Sequence, residues 1–207
     1  MKICIRLIVI GLLVCFFSVK AIAITGPTEQ LRPTLSNLTG ILVDPELRGD
    51  ERKGERRAKI MSAIKVGFNF KEMCRRILGS TWNSISEEEQ QHFTELMTKL
   101  LENVYIGKLE NYSGQTIGYV SERVKGERAQ VSTLIENKGQ QIPVHYIMAI
   151  KDDRWMVYDI NIEGVSLVRN YMEQFKSILR TQKFDGLITV LEEKNRSFEV
   201  SAEKSGK

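Results

Sequence analysis

From Thr28 onwards, the spacing of apolar residues predicts a helical region covering about residues 28–112. Apolar side chains recur every three or four positions over 31–42, 60–78 and 93–104, which is the period of an amphipathic helix. Ser86 is followed by three glutamates, a pattern typical of a helix start, because the hydroxyl caps a free backbone N–H and Glu89 reaches back. We expect that helix to run to about Gly107.

Beyond Gly114 the period of the pattern changes to two, which predicts strands. The four segments rich in β-forming residues are 115–124, 128–137, 141–150 and 154–162. The turn residues between them, such as Lys138-Gly139, favour an antiparallel meander. The third segment is apolar on both faces, so we expect it to be the central strand.

The residues after the sheet predict two closing helices over about 164–194. Gly164 is expected to open a long amphipathic helix, and Asp185-Gly186 a short final one. The chain is polar from about residue 196 to its end, so we expect a frayed tail there. The complete pattern predicts one α+β domain over residues 24–195.

The first 23 residues have the layout of a secretory signal peptide. Lys2 and Arg6 precede a run of about 13 apolar residues, and Ala21-Ile22-Ala23 is a small-residue cleavage motif. The run is shorter than the roughly 20 residues that span a bilayer. We expect residues 1–23 to be cleaved and the mature chain to be exported. An uncleaved anchor is the alternative, because Lys20 lies just before the motif.

The composition excludes several classes of protein. With 42% hydrophobic and 27% charged residues over 207 positions, the chain is neither disordered nor a multi-span membrane protein. Without residues 1–23 it has 27 basic and 26 acidic residues, so nucleic-acid binding is not expected. Only Cys74 remains, which excludes an internal disulfide, and its apolar neighbours predict an inert buried thiol.

Candidate reaction chemistry is sparse. His92 and His145 have no Cys or acidic partner at metal-ligand spacing, and no phosphate-binding loop or nucleophile elbow is present. The strongest enzyme candidate is a group of residues on the predicted sheet, although ordinary hydrogen-bonded sheet residues explain them better than acid–base catalysis does. The group consists of His145, Tyr119, Tyr146, Tyr158 and Asp159.

A charged stretch, Arg48–Arg57, alternates in sign around two glycines. One interpretation is a basic docking patch. Because the signs are mixed, the pattern favours a solvated turn that leads into a charged helix face.

The segment 155–171, which continues to Gln174-Phe175, resembles the signature of the MlaC-like toluene-tolerance proteins. These are periplasmic phospholipid-binding auxiliary components of an ABC transport system. Further similar pieces lie at Leu78-Gly79, at Trp82, and at 86–93, Tyr105, 109–112 and 185–188. The resemblance covers about residues 28–194. It departs at Asn69, where an Asp is expected, and this concerns only a local cap.

The resemblance implies a helical subdomain and a curved antiparallel sheet of about four strands, closed by helices into a cone of the nuclear-transport-factor type. It implies that acyl tails lie between sheet and helices while the head group faces water. It implies no enzyme activity, no metal, and no cofactor beyond phospholipid as cargo. Each residue type proposed for the lining also fits an ordinary core. The candidate lipid-binding residues are Leu100, Tyr105, Val131, Val144, Tyr146, Met148, Val157, Val165, Val168 and Tyr171.

The resemblance also implies a periplasmic monomer that shuttles phospholipids between the outer and inner membranes and so maintains lipid asymmetry. Its expected partners are an outer-membrane lipoprotein complex and the substrate-binding ring of an inner-membrane ABC transporter. Basic residues at the predicted sheet turns either face these partners or simply protect the sheet edges; they are Arg123, Lys125, Arg128, Lys151 and Arg154. Two other functions remain open, namely an enzyme on the same fold that uses His145 and Asp159, and a chaperone for exported lipoproteins.

Overall fold

The structure is a computed structural model that describes residues 25–110, 112, 114–137 and 139–205. The predicted signal peptide lies outside these residues. The described part contains five α-helices: α1 Pro27–Val43, α2 Lys53–Gly67, α3 Phe70–Leu78, α4 Glu87–Glu110 and α5 Leu167–Ser205. Its five strands are β1 Thr116–Lys125, β2 Arg128–Asn137, β3 Gln140–Lys151, β4 Arg154–Ile162 and β5 Val165–Ser166.

The five strands form one antiparallel sheet in the order β1-β2-β3-β4-β5, with β3 at its centre. The predicted α+β class, the four-strand meander and the central position of the third strand are confirmed. Irregularities in the register lie between Tyr119 and Ser121 and between Ile147 and Met148. Such bulges bend the strands and thereby contribute to the curvature of the sheet.

The register assigns every second side chain to one face, which we call the inner face. Val131 lies opposite Tyr146, and Tyr146 lies opposite Ile160 on the next strand. This face packs against α1, whose Leu31 and Leu35 are buried in the same apolar cluster. Alternation along the strands therefore separates an apolar inner face from an outer face that carries polar residues such as His145 and Asp159.

Local hydrogen bonds explain where two of the helices begin. At the start of α4, the Ser86 hydroxyl accepts from the Glu89 N–H at 3.2 Å and the Glu89 carboxylate accepts from the Ser86 N–H at 2.7 Å, which confirms the predicted capping box. At the start of α3, the Asn69 side-chain oxygen accepts from the Glu72 N–H at 3.0 Å. Asn69 therefore caps this helix, as an Asp would.

The closing helices differ from the prediction in three respects. Gly164 adopts φ 88° in a turn, and Val165 and Ser166 then pair with β4, so α5 begins at Leu167. The two predicted helices meet at a break at Lys183, where φ is 62°. Helix α5 also continues to Ser205, where we expected a frayed tail. The side chain of the buried Asn195 donates to the Leu96 carbonyl at 3.0 Å and ties this segment to α4.

The buried apolar residues fall into three clusters. The helical cluster joins α3, α4 and α5 and includes Phe93, Met97 and Leu187. The sheet cluster joins α1 to the inner face. The α2 cluster joins Ile60 to α1 and to Ile106 of α4. Within the described ranges, no helix combines the length and the apolarity needed to cross a membrane.

Candidate functional site

The helices cover the inner face unevenly, and its fully buried side chains lie on β2, β3 and β4. Val131 and Met148 are 0% and 1% exposed. Towards the start of β1, the apolar side chains of this face are only half-buried, and Ile117, Ile135 and Ile142 follow one another in direct register across three strands. We call this half-buried set the inner strip; it consists of Ile117, Tyr119, Ile135, Ile142, Ile160 and Ile162.

Half-buried apolar residues also border the two other clusters. Val104, Tyr105 and Val168 border the helical cluster. The corresponding residues at the α2 cluster are Ile41, Ile64, Leu109 and Tyr112. Incompletely covered apolar side chains on sheet and helices are the lining that an apolar ligand requires.

The tyrosines around these clusters are uncharged at neutral pH. Burial raises the pKa of Tyr171 to about 12, and the neighbouring Tyr105 adds to the rise. Burial likewise raises the pKa of Tyr146 to about 12 and raises the pKa of Tyr105 and Tyr112. The Tyr112 hydroxyl donates to the Gln115 carbonyl at 2.5 Å. These rings therefore present apolar surface without adding charge to the interior.

The structure brings five of the ten predicted lipid-binding residues together in the sheet cluster, all of them buried: Val131, Val144, Tyr146, Met148 and Val157. Leu100 and Tyr171 are buried in the helical cluster instead, and Tyr105 and Val168 border that cluster. Val168 also lines an open cleft beside α3.

The tenth predicted residue, Val165, lies on β5 and not on the expected helix. It pairs with Ile162 at the edge of the inner strip and is 57% exposed. The sequence pattern does not identify the inner strip as a site. Its period-two alternation places these residues on the inner face, but alternation alone does not reveal which of them the helices leave half-covered.

The candidate enzyme group is divided between the two faces of the sheet. Tyr119 and Tyr146 are on the inner face, whereas His145 and Asp159 are on the outer face. The His145 Nδ1 atom lies 2.9 Å from the Ser132 hydroxyl. Among the residues that the structure describes, no group of three or more His, Cys, Asp or Glu side chains is placed to hold a metal ion.

Two other sequence features have structural roles. Residues 48–55 are exposed, as a solvated turn requires, but Arg56 and Arg57 lie 3.1 and 3.6 Å from the Glu110 carboxylate and connect α2 to α4. Cys74 is 1% exposed, which confirms the predicted burial of this cysteine, and burial raises the pKa of its thiol to about 12.

The structure combines a curved antiparallel sheet, whose apolar inner face is partly covered, with helices that carry further half-buried apolar side chains, and such surfaces suit a protein that holds an apolar ligand. Comparison with known protein families shows which family of such proteins the chain belongs to. The model of the family described as "MlaC protein" matches residues 33–193, and the chain belongs to this family.

Two relatives are informative. The intermembrane phospholipid transport system binding protein MlaC of Haemophilus influenzae is 30% identical over 179 residues, which cover 84% of each chain. A solved structure of the phospholipid-binding protein from Ralstonia solanacearum, in complex with a phospholipid, is similar with a TM-score of 0.76 and 26% identity. That similarity covers 84% of this chain and 99% of the solved one.

Proposed function

We propose that this protein is a phospholipid-binding carrier. In this proposal, the acyl tails of the bound phospholipid lie between the inner strip and the helices. The observation that carries the proposal is the inner strip itself, in which five isoleucines and Tyr119 are left half-covered by the protein's own side chains. Both relatives support it, since one is named as a phospholipid transport binding protein and the other was solved with a phospholipid.

In this proposal, the buried residues of the sheet cluster continue the apolar lining beside the inner strip on the same face of the sheet, and Tyr105 lies at the helical border. The exposed Val165 marks the edge at which the head group meets water. Because the tails account for most of the buried surface, we expect broad tolerance among diacyl head groups. A lipid panel in which one head group binds and the others are excluded would contradict this expectation.

The size of the hydrophobic effect defines how such a carrier works. Each buried methylene contributes about 0.8 kcal/mol, so two tails of about 30 methylenes in total represent roughly 20 kcal/mol of gross desolvation. Release into water would be far too slow for transport. The carrier therefore hands its lipid over only against another apolar surface.

The cellular setting belongs to the same proposal. Residues 1–23 direct export and are cleaved, and the mature domain works as a periplasmic monomer. It meets the substrate-binding ring of an inner-membrane ABC transporter on one side and an outer-membrane lipoprotein complex on the other. Phospholipid is its cargo, and the proposal includes no catalytic step, cofactor or nucleic acid.

Organic extraction of the purified mature protein, followed by mass spectrometry, tests the proposed function. We expect diacyl phospholipid that persists through gel filtration and extensive dilution. Recovery of acylated protein fragments without free lipid would favour a lipoprotein chaperone. Turnover of a bound lipid that stops on replacement of His145 would favour an enzyme. Either result, or an extract without lipid, would contradict the carrier.

A further inference from the structure

A strongly basic concave surface lies on the outer side of the sheet, beside α3 and the start of α5. It consists of two adjoining open clefts of about 610 and 430 Å³, both lined by Arg75, Arg76 and Arg128. We call this surface the basic cleft. Its six basic side chains belong to Lys71, Arg75, Arg76, Arg128, Lys151 and Arg169, and its three acidic ones to Glu72, Glu127 and Asp159.

Two of these acidic groups are already engaged within the protein. Glu72 accepts two hydrogen bonds of 2.7 Å from Arg75 and one of 2.8 Å from Arg76. Asp159 accepts from the Ser166 hydroxyl and from the Val168 N–H. No described acidic residue forms an ion pair with Arg128 or Arg169. An excess of positive charge therefore remains at this cleft, although the chain after residue 23 is nearly balanced in charge.

Two of the basic groups, Arg75 and Arg76, are held in place by their neighbours. Arg76 lies over the Tyr158 ring at 4.0 Å from its centroid and also donates a hydrogen bond to Glu72. Arg75 is held by two bonds to the same carboxylate. Side chains that are already ordered lose little conformational entropy when a ligand binds.

The lining of the basic cleft is also partly apolar. Trp82 and Ile150 line one part of it, and Ile147, Val168 and Met172 line the other. A flat bilayer surface does not reach into a concave lining, whereas a projecting protein segment does. Acidic side chains interspersed with apolar ones would match both the charge and the apolar patches of this surface.

We propose that the basic cleft is the docking surface for an acidic, partly apolar segment of a protein partner. This inference rests on the proposed carrier function, because a carrier must meet its donor and its acceptor. The strand residues Arg128, Ile147 and Asp159 of the cleft are on the outer face, whereas the inner strip is on the inner face. Docking and lipid retention are therefore separable by mutation.

The test compares a charge-reversal variant with a matched control. Arg128→Glu/Arg169→Glu reverses the two unpaired guanidiniums, and Arg180→Glu/Lys194→Glu makes the same change in charge at exposed positions of α5 outside the cleft. Binding is measured to the purified periplasmic parts of the transporter ring and of the outer-membrane lipoprotein complex. Vesicles of phosphatidylglycerol and phosphatidylethanolamine form a third arm.

We expect the cleft variant to lose about tenfold or more in affinity for at least one protein partner, with the control within about twofold of wild type. Wild-type binding should weaken as salt rises from about 50 to about 300 mM. Unchanged binding to both proteins would overturn the docking surface, and so would a loss confined to the vesicles. Lipid content of each purified variant is measured in parallel. Wild type without bound lipid would refute the carrier function, whereas lipid-loaded variants with unchanged docking would refute only this inference.

Discussion

The Asp159 carboxylate accepts a hydrogen bond from the Ser166 hydroxyl at 2.6 Å. Its second oxygen accepts from the Val168 N–H at 3.0 Å, and the Ser166 hydroxyl accepts in turn from the Arg169 N–H at 3.0 Å. Asp159 on β4 therefore fixes the start of α5 against the sheet. Both carboxylate oxygens serve this purpose, which gives Asp159 a structural role at the start of the helix.

Replacement of Asp159 should therefore destabilise the protein. We expect Asp159→Ala to lower the free energy of unfolding by about 1–3 kcal/mol, and Ser166→Ala to lower it by about 1 kcal/mol. Urea unfolding followed by circular dichroism measures both changes. The folded Asp159→Ala protein should still retain its lipid. A variant as stable as wild type would contradict the structural role.

A charge in the inner strip should abolish lipid retention. Ile142 is half-buried on the inner face, and a carboxylate there would have to be desolvated beside an acyl tail. We expect Ile142→Asp to retain at least about tenfold less phospholipid than wild type, corresponding to about 1.4 kcal/mol or more. Quantitative mass spectrometry of extracted lipid makes the measurement.

The matched control for this change is Val120→Asp. Val120 lies on β1 and is 60% exposed, so the same carboxylate stays in water there. Lipid content should equal that of wild type. If both variants, or neither of them, lost lipid, the inner strip would not be the site.

Two of the residues predicted to bind lipid should behave in opposite ways. Leu100 is 2% exposed within the helical cluster, so Leu100→Ala should cost about 2–5 kcal/mol of stability through the cavity that it leaves. Val165 is exposed at the edge of the inner strip, so Val165→Ser should change stability by less than about 0.5 kcal/mol. We expect Val165→Ser to weaken lipid retention without changing the unfolding curve. We do not expect this combination for Leu100→Ala, which should shift the unfolding curve. Thermal unfolding and lipid extraction on the same samples distinguish these outcomes.

An element of the fold can be predicted from the sequence when the interactions that form it lie between residues close together in the chain. The start of α4 can be predicted because the side chains of Ser86 and Glu89 each accept a hydrogen bond from the other residue's backbone N–H, and both residues lie within four positions of the sequence. The strands are readable from alternation and turn residues. By contrast, β5 consists of only two residues, which the apolar period assigns to a helix. The last part of α5 is anchored at Asn195, whose side chain donates to the carbonyl of Leu96 on a distant helix.

The candidate site was less predictable than the fold. Alternation places Val131 and Ile135 on the same face, yet the first is fully buried and the second is half-covered. This difference depends on where the helices lie over the sheet, which is a tertiary property that no local pattern encodes. The separation of Tyr146 from His145 follows from strand parity alone and was accessible from the sequence.

The acid sensitivity of the α3 region should depend on Glu72. Hydrogen bonds from Arg75 hold the pKa of Glu72 below its ordinary value, although partial burial of the carboxylate acts to raise that pKa. Because the folded pKa is depressed, this contribution is present at neutral pH and is lost as the pH falls below about 5 towards the folded value. Glu72 is partly exposed, so we expect a contribution of no more than about 1 kcal/mol.

Urea unfolding of wild type and Glu72→Gln at several pH values measures this effect. The variant should be less stable than wild type at pH 7, and the difference should shrink as the carboxylate becomes protonated. A stability difference that stayed constant down to about pH 3 would contradict the assignment to ionised Glu72.

The location of the acyl tails is tested most directly by diffraction from the mature protein bound to a phospholipid with brominated tails. The anomalous signal of bromine locates the tail independently of any interpretation of the surrounding side chains. We predict bromine peaks between the inner strip and the helices, in van der Waals contact with Ile135 or Ile142. Bromine found only outside the protein, with the space over the inner strip filled by the protein's own side chains, would contradict the account.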